Sequence, residues 1–209
     1  MKSFDLSLYL VTDRDLSLGR PLEFIVEEAV KGGVTMIQLR EKNCSSKEFY
    51  QLGIRLKKLL KPYNVPLIIN DRLDIALAID ADGLHIGQSD LPWDVARQLL
   101  GKDKILGLSV ETMEQAKESR NFDIDYIGIS PVFATPTKTD TFTPFGLEGV
   151  KAVSVIANHP NVAIGGISLE NAAQVMAHGA NGVAVVSAIS SAKNPKLAAE
   201  LLKNKIKNI

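Results

Sequence analysis

The 209-residue sequence predicts an α/β protein, specifically a single-domain (β/α)8 TIM barrel spanning residues 1–209. Short β-branched segments alternate with amphipathic segments along the whole chain, which is the pattern of repeated βα units. Several of the apolar runs lack polar alternation, as expected of parallel strands that are buried on both faces. Eight such units in so short a chain favour a closed barrel over an open sheet.

Eight apolar runs define the predicted strands. In chain order the runs are LYLV, MIQL, LIIN, GLHI, ILGLSV, YIGI, VAIG and GVAVV. The corresponding strands are Leu8–Thr12, Met36–Arg40, Leu67–Asn70, Gly83–Ile86, Ile105–Val110, Tyr126–Ser130, Val162–Gly165 and Gly182–Val186.

Eight amphipathic segments follow these runs and define the predicted helices. Pro21 suits the first turn of the first helix, and Ser45 and Glu48 have the spacing of a capping box for the second. The helices are Pro21–Lys31, Ser45–Leu60, Asp71–Ile79, Pro92–Leu100, Glu111–Ser119, Leu147–Ala157, Leu169–Ala177 and Leu197–Lys207.

A doubly wound open sheet is the alternative fold. It commonly carries a G-x-G-x-x-G turn after its first strand. Here the first strand is followed by Thr12-Asp13-Arg14, and that glycine pattern is missing from the turn. The barrel is therefore the preferred prediction.

Composition limits the classes of partner. Lys plus Arg equals Asp plus Glu at 24 each, so no net field attracts nucleic acid or an anionic membrane. The N-terminus lacks the pattern of a signal peptide, and no apolar stretch approaches the roughly 20 residues of a membrane span. We therefore expect a cytoplasmic protein with small-molecule substrates, without nucleic-acid or membrane partners, and with a homo-oligomer possible. The single cysteine, Cys44, fits an unreactive loop thiol better than a nucleophile.

Cationic side chains collect at the end of the second strand. Because side chains alternate along a strand, Gln38, Arg40 and Lys42 share one face and point at the barrel mouth. Arg offers a planar fork and Lys a point charge, both suited to phosphate oxygens. The alternative is a solvated loop with salt bridges to Glu41 and other acids.

Two carboxylates end the third and fourth strands, at Asp71 and Asp90. Mg²⁺ is commonly held by one or two carboxylates together with substrate phosphate oxygens, so the pair predicts a metal-bound diphosphate. The alternative is that each Asp caps the following helix. His85, inside an apolar strand, is predicted to be a core histidine satisfied by a neighbour.

The loop after the sixth strand is long for a βα connection and is predicted to be a lid. It brings Thr135, Thr137 and Lys138 towards the mouth, where Ser109 ends the fifth strand. The alternative is a Thr-rich surface loop.

A second anion site is predicted after strands seven and eight, where phosphate sites recur in this fold. Gly165-Gly166 allows phosphate to approach backbone N–H groups, and Val186-Ser187 precedes a helix. The alternative is that the glycines merely form a tight turn. Together the two sites indicate two phosphorylated substrates, one of them with a diphosphate leaving group.

At these positions the sequence resembles the thiamine-phosphate synthase family over nearly its whole length. The motifs that carry the resemblance are YLVTD, QLREK, LIINDRLDIALAIDADGLHIGQSDL, LGLSV, DYIGISPVFATPTK, AIGGI and GVAVVSAI. The resemblance implies a transferase that joins 4-amino-2-methyl-5-(diphosphooxymethyl)pyrimidine to 4-methyl-5-(2-phosphoethyl)thiazole, giving thiamine phosphate and pyrophosphate with Mg²⁺ as cofactor.

The resemblance also implies residue roles. The pyrimidine diphosphate would be bound by Gln38, Arg40, Lys42, Asn70, Ser109 and Lys138, of which Arg40, Lys42 and Lys138 would be catalytic. Mg²⁺ would be held by Asp71 and Asp90. The thiazole phosphate would be bound by Thr135, Thr137, Gly166, Val186 and Ser187.

The sequence departs from the family pattern at two places. The segment after Lys138, TDTFTPFGLE, looks longer than the common form, and Ser130 stands where relatives often have Gly. Two alternative functions stay open: a thiazole tautomerase on the same fold, which needs no diphosphate or metal site, and a non-catalytic barrel that binds thiamine phosphate.

Overall fold

Eight parallel strands form a closed barrel in the computed structural model, which describes residues 4–135 and 143–207. Each strand pairs with its neighbours in sequence, and β1 closes the barrel against β8. The strands are β1 Leu8–Val11, β2 Met36–Leu39, β3 Leu67–Asn70, β4 Gly83–Ile86, β5 Ile105–Val110, β6 Tyr126–Ile129, β7 Asn161–Ile164 and β8 Gly182–Val185. The predicted fold class is confirmed.

The helices of the described residues surround the barrel. They are α1 Leu22–Lys31, α2 Ser46–Leu60, α3 Leu73–Ala78, α4 Trp93–Leu100, α5 Met113–Glu118, α6 Gly146–Ile156, α7 Ala172–Ala177, α8 Ser187–Ser190 and α9 Pro195–Lys207. Three single 3₁₀ turns lie at Asp15–Ser17, Lys61–Tyr63 and Ser119–Asn121. The predicted capping box is present, with Ser45 and Glu48 each accepting the other's backbone N–H.

Several element boundaries differ from the prediction for identifiable reasons. Strand β2 ends before Arg40, because the Arg40 amide donates to the Thr12 hydroxyl at 3.0 Å and leaves the sheet ladder. Helix α3 begins at Leu73, because Asp71 has a φ of +61° that a helix does not accommodate. The one-turn helix α8 was not among the predicted helices, since four residues are too few to show a helical period.

The core has two layers separated by the strands. Outward-facing strand residues pack against the helices, as Leu8 and Leu10 do, and both are fully buried. Inward-facing residues fill the barrel, among them Tyr9, Met36 and Tyr126. Every strand is therefore buried on both faces, as its apolar run predicts.

The strand register brings the polar residues to one end of the barrel. Val11 lies opposite Gln38, and Asn70 lies opposite His85. These pairs occupy the carboxyl-terminal ends of their strands, which is the end where barrel enzymes place their active sites.

The opposite end of the barrel carries an ion cluster around Asp80. Lys57 and Lys104 both donate to its carboxylate, and Lys57 also donates to the Ile79 carbonyl at 3.0 Å. In barrels of this fold, the amino-terminal ends of the strands contribute to stability rather than to catalysis. No helix among residues 4–135 and 143–207 is long and apolar enough to cross a membrane.

Candidate active site

A cavity of about 730 Å³ opens at the carboxyl-terminal ends of the strands. A volume of this order accommodates drug-sized ligands. Its lining includes the sequence-predicted site residues of the described ranges, namely Gln38, Arg40, Lys42, Asn70, Asp71, Asp90, Ser109, Thr135, Gly166, Val186 and Ser187. The structure thus brings together side chains from all parts of the chain.

The cationic face lies at the end of β2, as the alternation predicts. Gln38 is buried and donates to the Tyr9 hydroxyl at 2.9 Å. Arg40 Nη1 lies 3.1 Å from Asp13 Oδ2, and Lys42 Nζ lies 2.6 Å from Asp71 Oδ2. The salt-bridge alternative is therefore right that these cations have acidic partners. Of these partners Asp71 also lines the cavity, whereas Glu41 pairs with Arg14 instead.

Asp13 is a residue of the site region that the sequence reasoning did not single out. Its Oδ1 accepts from the backbone N–H groups of Asp15 and Leu16, each at 3.1 Å, and its Oδ2 faces Arg40. The 3₁₀ turn after β1 therefore holds a carboxylate that aims the Arg40 guanidinium. Its signal in the sequence is the Asp-x-Asp spacing directly after an apolar strand.

Asp71 owes its position to an unusual backbone conformation. A φ of +61° costs a non-glycine residue about 1–2 kcal/mol, although Asp tolerates it better than most. Arg72, not Asp71, is the N-cap of α3 and makes no side-chain cap bond. The capping alternative is therefore wrong for Asp71, whose side chain faces the cavity.

Asp90 also does not cap a helix, since Pro92 is the N-cap of α4. Its Oδ2 accepts from the Gly87 N–H at 2.7 Å, within the loop after β4. Burial raises the pKa of Asp90 above its ordinary value, and the neighbouring Asp71 carboxylate raises it further. Two carboxylates are thus held close enough to repel each other.

This pair fits a divalent cation by its donor chemistry. Hard cations such as Mg²⁺ prefer carboxylate oxygens, and Mg²⁺ usually takes only one or two from the protein. A cation between like charges also removes their repulsion. Residues 4–135 and 143–207 contain no group of three or more His, Cys, Asp or Glu that could hold a metal, so further ligands would come from substrate and water.

The glycine turn after β7 faces the cationic rim from across the cavity. Gly165 and Gly166 have φ values of +105° and +64°, and a Cβ at Gly166 would lie 2.8 Å from Phe133 Cβ. The alternative prediction, a tight turn, is therefore correct for the conformation of this backbone. A turn of this kind can also bind a ligand. Helix α8 begins at Ser187 beside the turn. The N–H groups of Ile189 and Ser190 bond to the Val186 carbonyl, which leaves those of Ser187 and Ala188 at the N-terminal end of the helix.

A buried chain of polar side chains crosses the floor of the cavity. The Tyr9 and Tyr126 hydroxyls lie 3.0 Å apart, and His85 Nδ1 lies 2.9 Å from the Tyr126 hydroxyl. His85 Nε2 lies 2.9 Å from Ser109 Oγ. The predicted core histidine is thus satisfied by two neighbours. The tyrosines were missed. A tyrosine at an inward-facing strand position is itself a signal, because barrel interiors favour branched aliphatic residues.

Burial keeps both phenols protonated. It raises the pKa of Tyr9, against the opposing effect of the hydrogen bonds that Tyr9 shares with Gln38 and Tyr126. It also raises the pKa of Tyr126 well above its ordinary value. Each hydroxyl therefore keeps its proton available for hydrogen bonding at neutral pH.

The remaining sequence-predicted positions are distributed as follows. Thr135 and Ser130 line the cavity. Thr137, Lys138 and most of the predicted lid lie outside the described residues. Cys44 packs partly buried against the core, and burial raises the pKa of its thiol, which disfavours the nucleophilic thiolate.

Comparison with known proteins gives consistent matches. The sequence model of a family described as thiamine monophosphate synthase matches residues 8–189. A thiamine-phosphate synthase of Leptospira biflexa is 53% identical over 201 residues, covering 94% of this chain and 96% of the relative. One of Syntrophomonas wolfei is 54% identical over 194 residues, covering 93% of both chains.

A solved structure agrees with these sequence matches. A thiamine phosphate pyrophosphorylase from Pyrococcus furiosus superimposes with a TM-score of 0.89 at 38% identity, covering 97% of this chain and 96% of that one. The similarity therefore extends over nearly the whole of both chains.

Proposed function

The chain belongs to the thiamine monophosphate synthase family, whose members are enzymes that transfer a pyrimidinylmethyl group. From this premise we propose that it joins 4-amino-2-methyl-5-(diphosphooxymethyl)pyrimidine to 4-methyl-5-(2-phosphoethyl)thiazole. The products are thiamine phosphate and pyrophosphate. The partners of the protein are thus two phosphorylated small molecules.

One observation carries this proposal: a single cavity has two rims of different chemistry. Arg40 and Lys42 stand beside the Asp71–Asp90 pair on one side. The glycine turn and the start of α8 stand on the other side, without a charged side chain of their own. A diphosphate with a divalent cation suits the first rim, and a monophosphate suits the second.

The charged rim stabilises the leaving group. When the C–O bond of the pyrimidine diphosphate breaks, its electron pair goes to the diphosphate oxygen, and negative charge grows there. Arg40 can donate two parallel N–H bonds to such oxygens, and Lys42 adds a point charge. Because both groups are already positioned, they stabilise that charge with little reorganisation.

Mg²⁺ held by Asp71 and Asp90 would neutralise further charge on the leaving diphosphate. Lys42 now pairs with Asp71, so binding of the diphosphate would give Lys42 a second anionic partner. The ion pair with Asp13 holds the Arg40 guanidinium at the same rim of the cavity.

The pyrimidine ring must be held still while its exocyclic carbon changes partner. Gln38 and Ser109 offer hydrogen bonds from the cavity floor, and Asn70 lies at the rim. The 4-amino group supplies electron density to the exocyclic carbon, so departure precedes attack. The thiazole nitrogen then forms the new C–N bond with its lone pair, and a protein nucleophile is not required.

The neutral rim positions the thiazole. Gly166, Val186 and Ser187 would hold its phosphate through backbone N–H groups and the Ser187 hydroxyl, with Thr135 nearby. Phosphate recognition in barrels recurs at this place, including the use of a short extra helix. Thr137 would complete this site from the lid, and Lys138 in the same lid would bind the pyrimidine diphosphate. The lid would also exclude water from the cationic intermediate.

The decisive experiment combines the purified protein, both phosphorylated substrates and Mg²⁺, with product analysis by mass spectrometry. We expect thiamine phosphate and an equal amount of pyrophosphate, and loss of both in excess chelator. A thiazole tautomerase would change the thiazole without releasing pyrophosphate. A non-catalytic barrel would bind thiamine phosphate and form nothing, and either result would refute the proposal.

A further inference from the structure

The buried polar chain on the cavity floor joins two residues that face the pyrimidine subsite. It runs from Gln38 through Tyr9, Tyr126 and His85 to Ser109, by four hydrogen bonds of 2.9 to 3.0 Å. Both ends open on the cavity, while the tyrosines between them are at most 1% exposed. A connected chain of this kind constrains the hydrogen-bonding character of both ends.

The direction of every bond follows from the first one. Gln38 Nε2 donates to the Tyr9 hydroxyl, which has one proton of its own. Because a buried hydroxyl that donates to nothing is costly, Tyr9 gives this proton to Tyr126, the other polar group it contacts. Tyr126 in turn donates to His85 Nδ1, which must therefore be the unprotonated nitrogen of a neutral imidazole. The proton lies on Nε2 and is donated to Ser109 Oγ.

The two ends consequently present opposite characters to the cavity. With its amide nitrogen turned towards Tyr9, Gln38 has its carbonyl oxygen available as an acceptor. Ser109 Oγ accepts from His85, so its own O–H is available as a donor. We call the five-residue chain the floor relay.

The strands are shaped to hold the floor relay. A Cβ at Gly107 on β5 would lie 2.2 Å from Tyr126 Cζ and 2.5 Å from His85 Nδ1. A Cβ at Gly128 on β6 would lie 3.3 Å from His85 Cε1. Two strand positions are thus left without side chains where the two rings meet, which ties the rings to one arrangement.

We propose that the floor relay determines substrate specificity by fixing Gln38 as an acceptor and Ser109 as a donor towards the pyrimidine. This inference rests on the proposed function. A 4-aminopyrimidine carries an amino donor beside a ring-nitrogen acceptor, which matches this pair. Its 4-oxo counterpart carries a carbonyl acceptor, which would face the Gln38 carbonyl oxygen. The adjacent ring N–H would leave the Ser109 proton without its acceptor on the ring.

Reversal of the floor relay is costly because its bonds are coupled. Accepting the oxo ring would require the Gln38 amide to turn, both hydroxyls to rotate and the His85 proton to move between nitrogens. Reversing any one of them alone leaves two donors or two acceptors facing each other in the interior. A substrate analogue that leaves buried polar groups without a partner binds much more weakly than the correct substrate. Sites built on hydrogen bonds therefore discriminate strongly between the two. Tyr9, Tyr126 and His85 are therefore positioning residues, which act through Gln38 and Ser109.

The first test is Tyr126→Phe, which keeps the ring and removes the central link. Specificity is measured as the ratio of kcat/KM for the aminopyrimidine diphosphate to kcat/KM for its oxo analogue. We expect this ratio to fall at least tenfold, mainly through KM for the amino substrate, and calorimetric affinities to follow it. Tyr63→Phe, at an exposed position on the outer surface, is the matched control and should leave the ratio unchanged. An unchanged ratio in Tyr126→Phe would overturn the proposal.

A second measurement needs no substrate and so separates this inference from the proposed function. The ¹⁵N chemical shifts of His85 in the wild-type protein report which ring nitrogen carries the proton, with assignment by His85→Asn. We expect neutral imidazole with the proton on Nε2, and Tyr126→Phe should mix the two tautomers. A proton on Nδ1, or a doubly protonated ring at neutral pH, would refute the floor relay even if the enzyme makes thiamine phosphate. Failure of the wild type to form product would refute the proposed function alone, because the tautomer is read independently.

Discussion

Arg40→Ala tests the charged rim most sharply, because the side chain lies at the cavity and contributes little to the core. The side chain is about one quarter exposed, and Arg40 Nη1 lies 3.1 Å from Asp13 Oδ2. At an effective dielectric constant of about 20, a unit charge 4 Å from a growing negative charge contributes about 4 kcal/mol. Removing one preorganised charge-stabilising group typically costs about 2.7–4 kcal/mol. We therefore expect kcat to fall by about 10²–10³.

The same substitution should leave the fold intact. Asp13 keeps its two backbone N–H bonds when Arg40 is removed. The loss of one charge-assisted hydrogen bond costs about 1.5–3 kcal/mol at most, against a total stability of about 5–15 kcal/mol. Circular dichroism and thermal unfolding would measure this directly.

Arg14→Ala is the matched control for Arg40→Ala. Arg14 is an exposed neighbour that pairs with Glu41 at 2.9 Å, and it is absent from the cavity lining. Steady-state kinetics should give a nearly normal kcat for Arg14→Ala. Unfolding of Arg40→Ala would show that Arg40 is structural, and an unchanged kcat would show that it does not face the leaving group.

Three further predictions address the metal, the second phosphate and acid stability. Asp71→Ala should abolish turnover without rescue by ordinary Mg²⁺, and should abolish Mn²⁺ binding measured by electron paramagnetic resonance; full activity in excess chelator would end the metal hypothesis. Gly166→Val should raise KM for the thiazole phosphate steeply, and it should cost about 1–3 kcal/mol of stability because the backbone φ at this position is positive. Calorimetry should show unchanged binding of the pyrimidine diphosphate. Equal weakening of both ligands would mean that the turn, not a separate site, was lost. Two lysine hydrogen bonds lower the pKa of Asp80 to about 2, so its contribution to stability is present above about pH 4 and is lost as the pH falls towards 2. Because this side chain is three-quarters exposed, Asp80→Asn should cost less than about 1 kcal/mol of stability at neutral pH. The same variant should lose less stability than the wild type between about pH 4 and pH 2, measured by denaturation at each pH. An unchanged pH dependence would contradict the assigned pKa.

The barrel could be predicted from sequence because its signal is repeated and local. Each strand is an apolar run bounded by turn residues, and strands such as Leu67–Asn70 were predicted with both ends correct. The errors lie where a tertiary contact overrides the local pattern. The Thr12 hydroxyl ends β2, and the left-handed conformation of Asp71 delays α3.

The rim residues could also be predicted, since fold rules place the ends of parallel strands together. What the sequence could not supply is the pairing between side chains. The contact between Asp13 and Arg40 joins residues 27 positions apart, and that between Tyr9 and Tyr126 joins residues 117 positions apart. Such pairings depend on strand register and on the space left by glycines such as Gly107. The predicted oligomerisation, cytoplasmic location and lid stay predictions.

The separation of two anion sites within one cavity is tested most directly by a crystal structure with both products bound. The account predicts pyrophosphate with a divalent cation beside Arg40, Lys42 and Asp71. It predicts the phosphate of thiamine phosphate across the cavity, at Gly166 and Ser187. Both anions on one rim, or a metal ion away from the carboxylate pair, would contradict it.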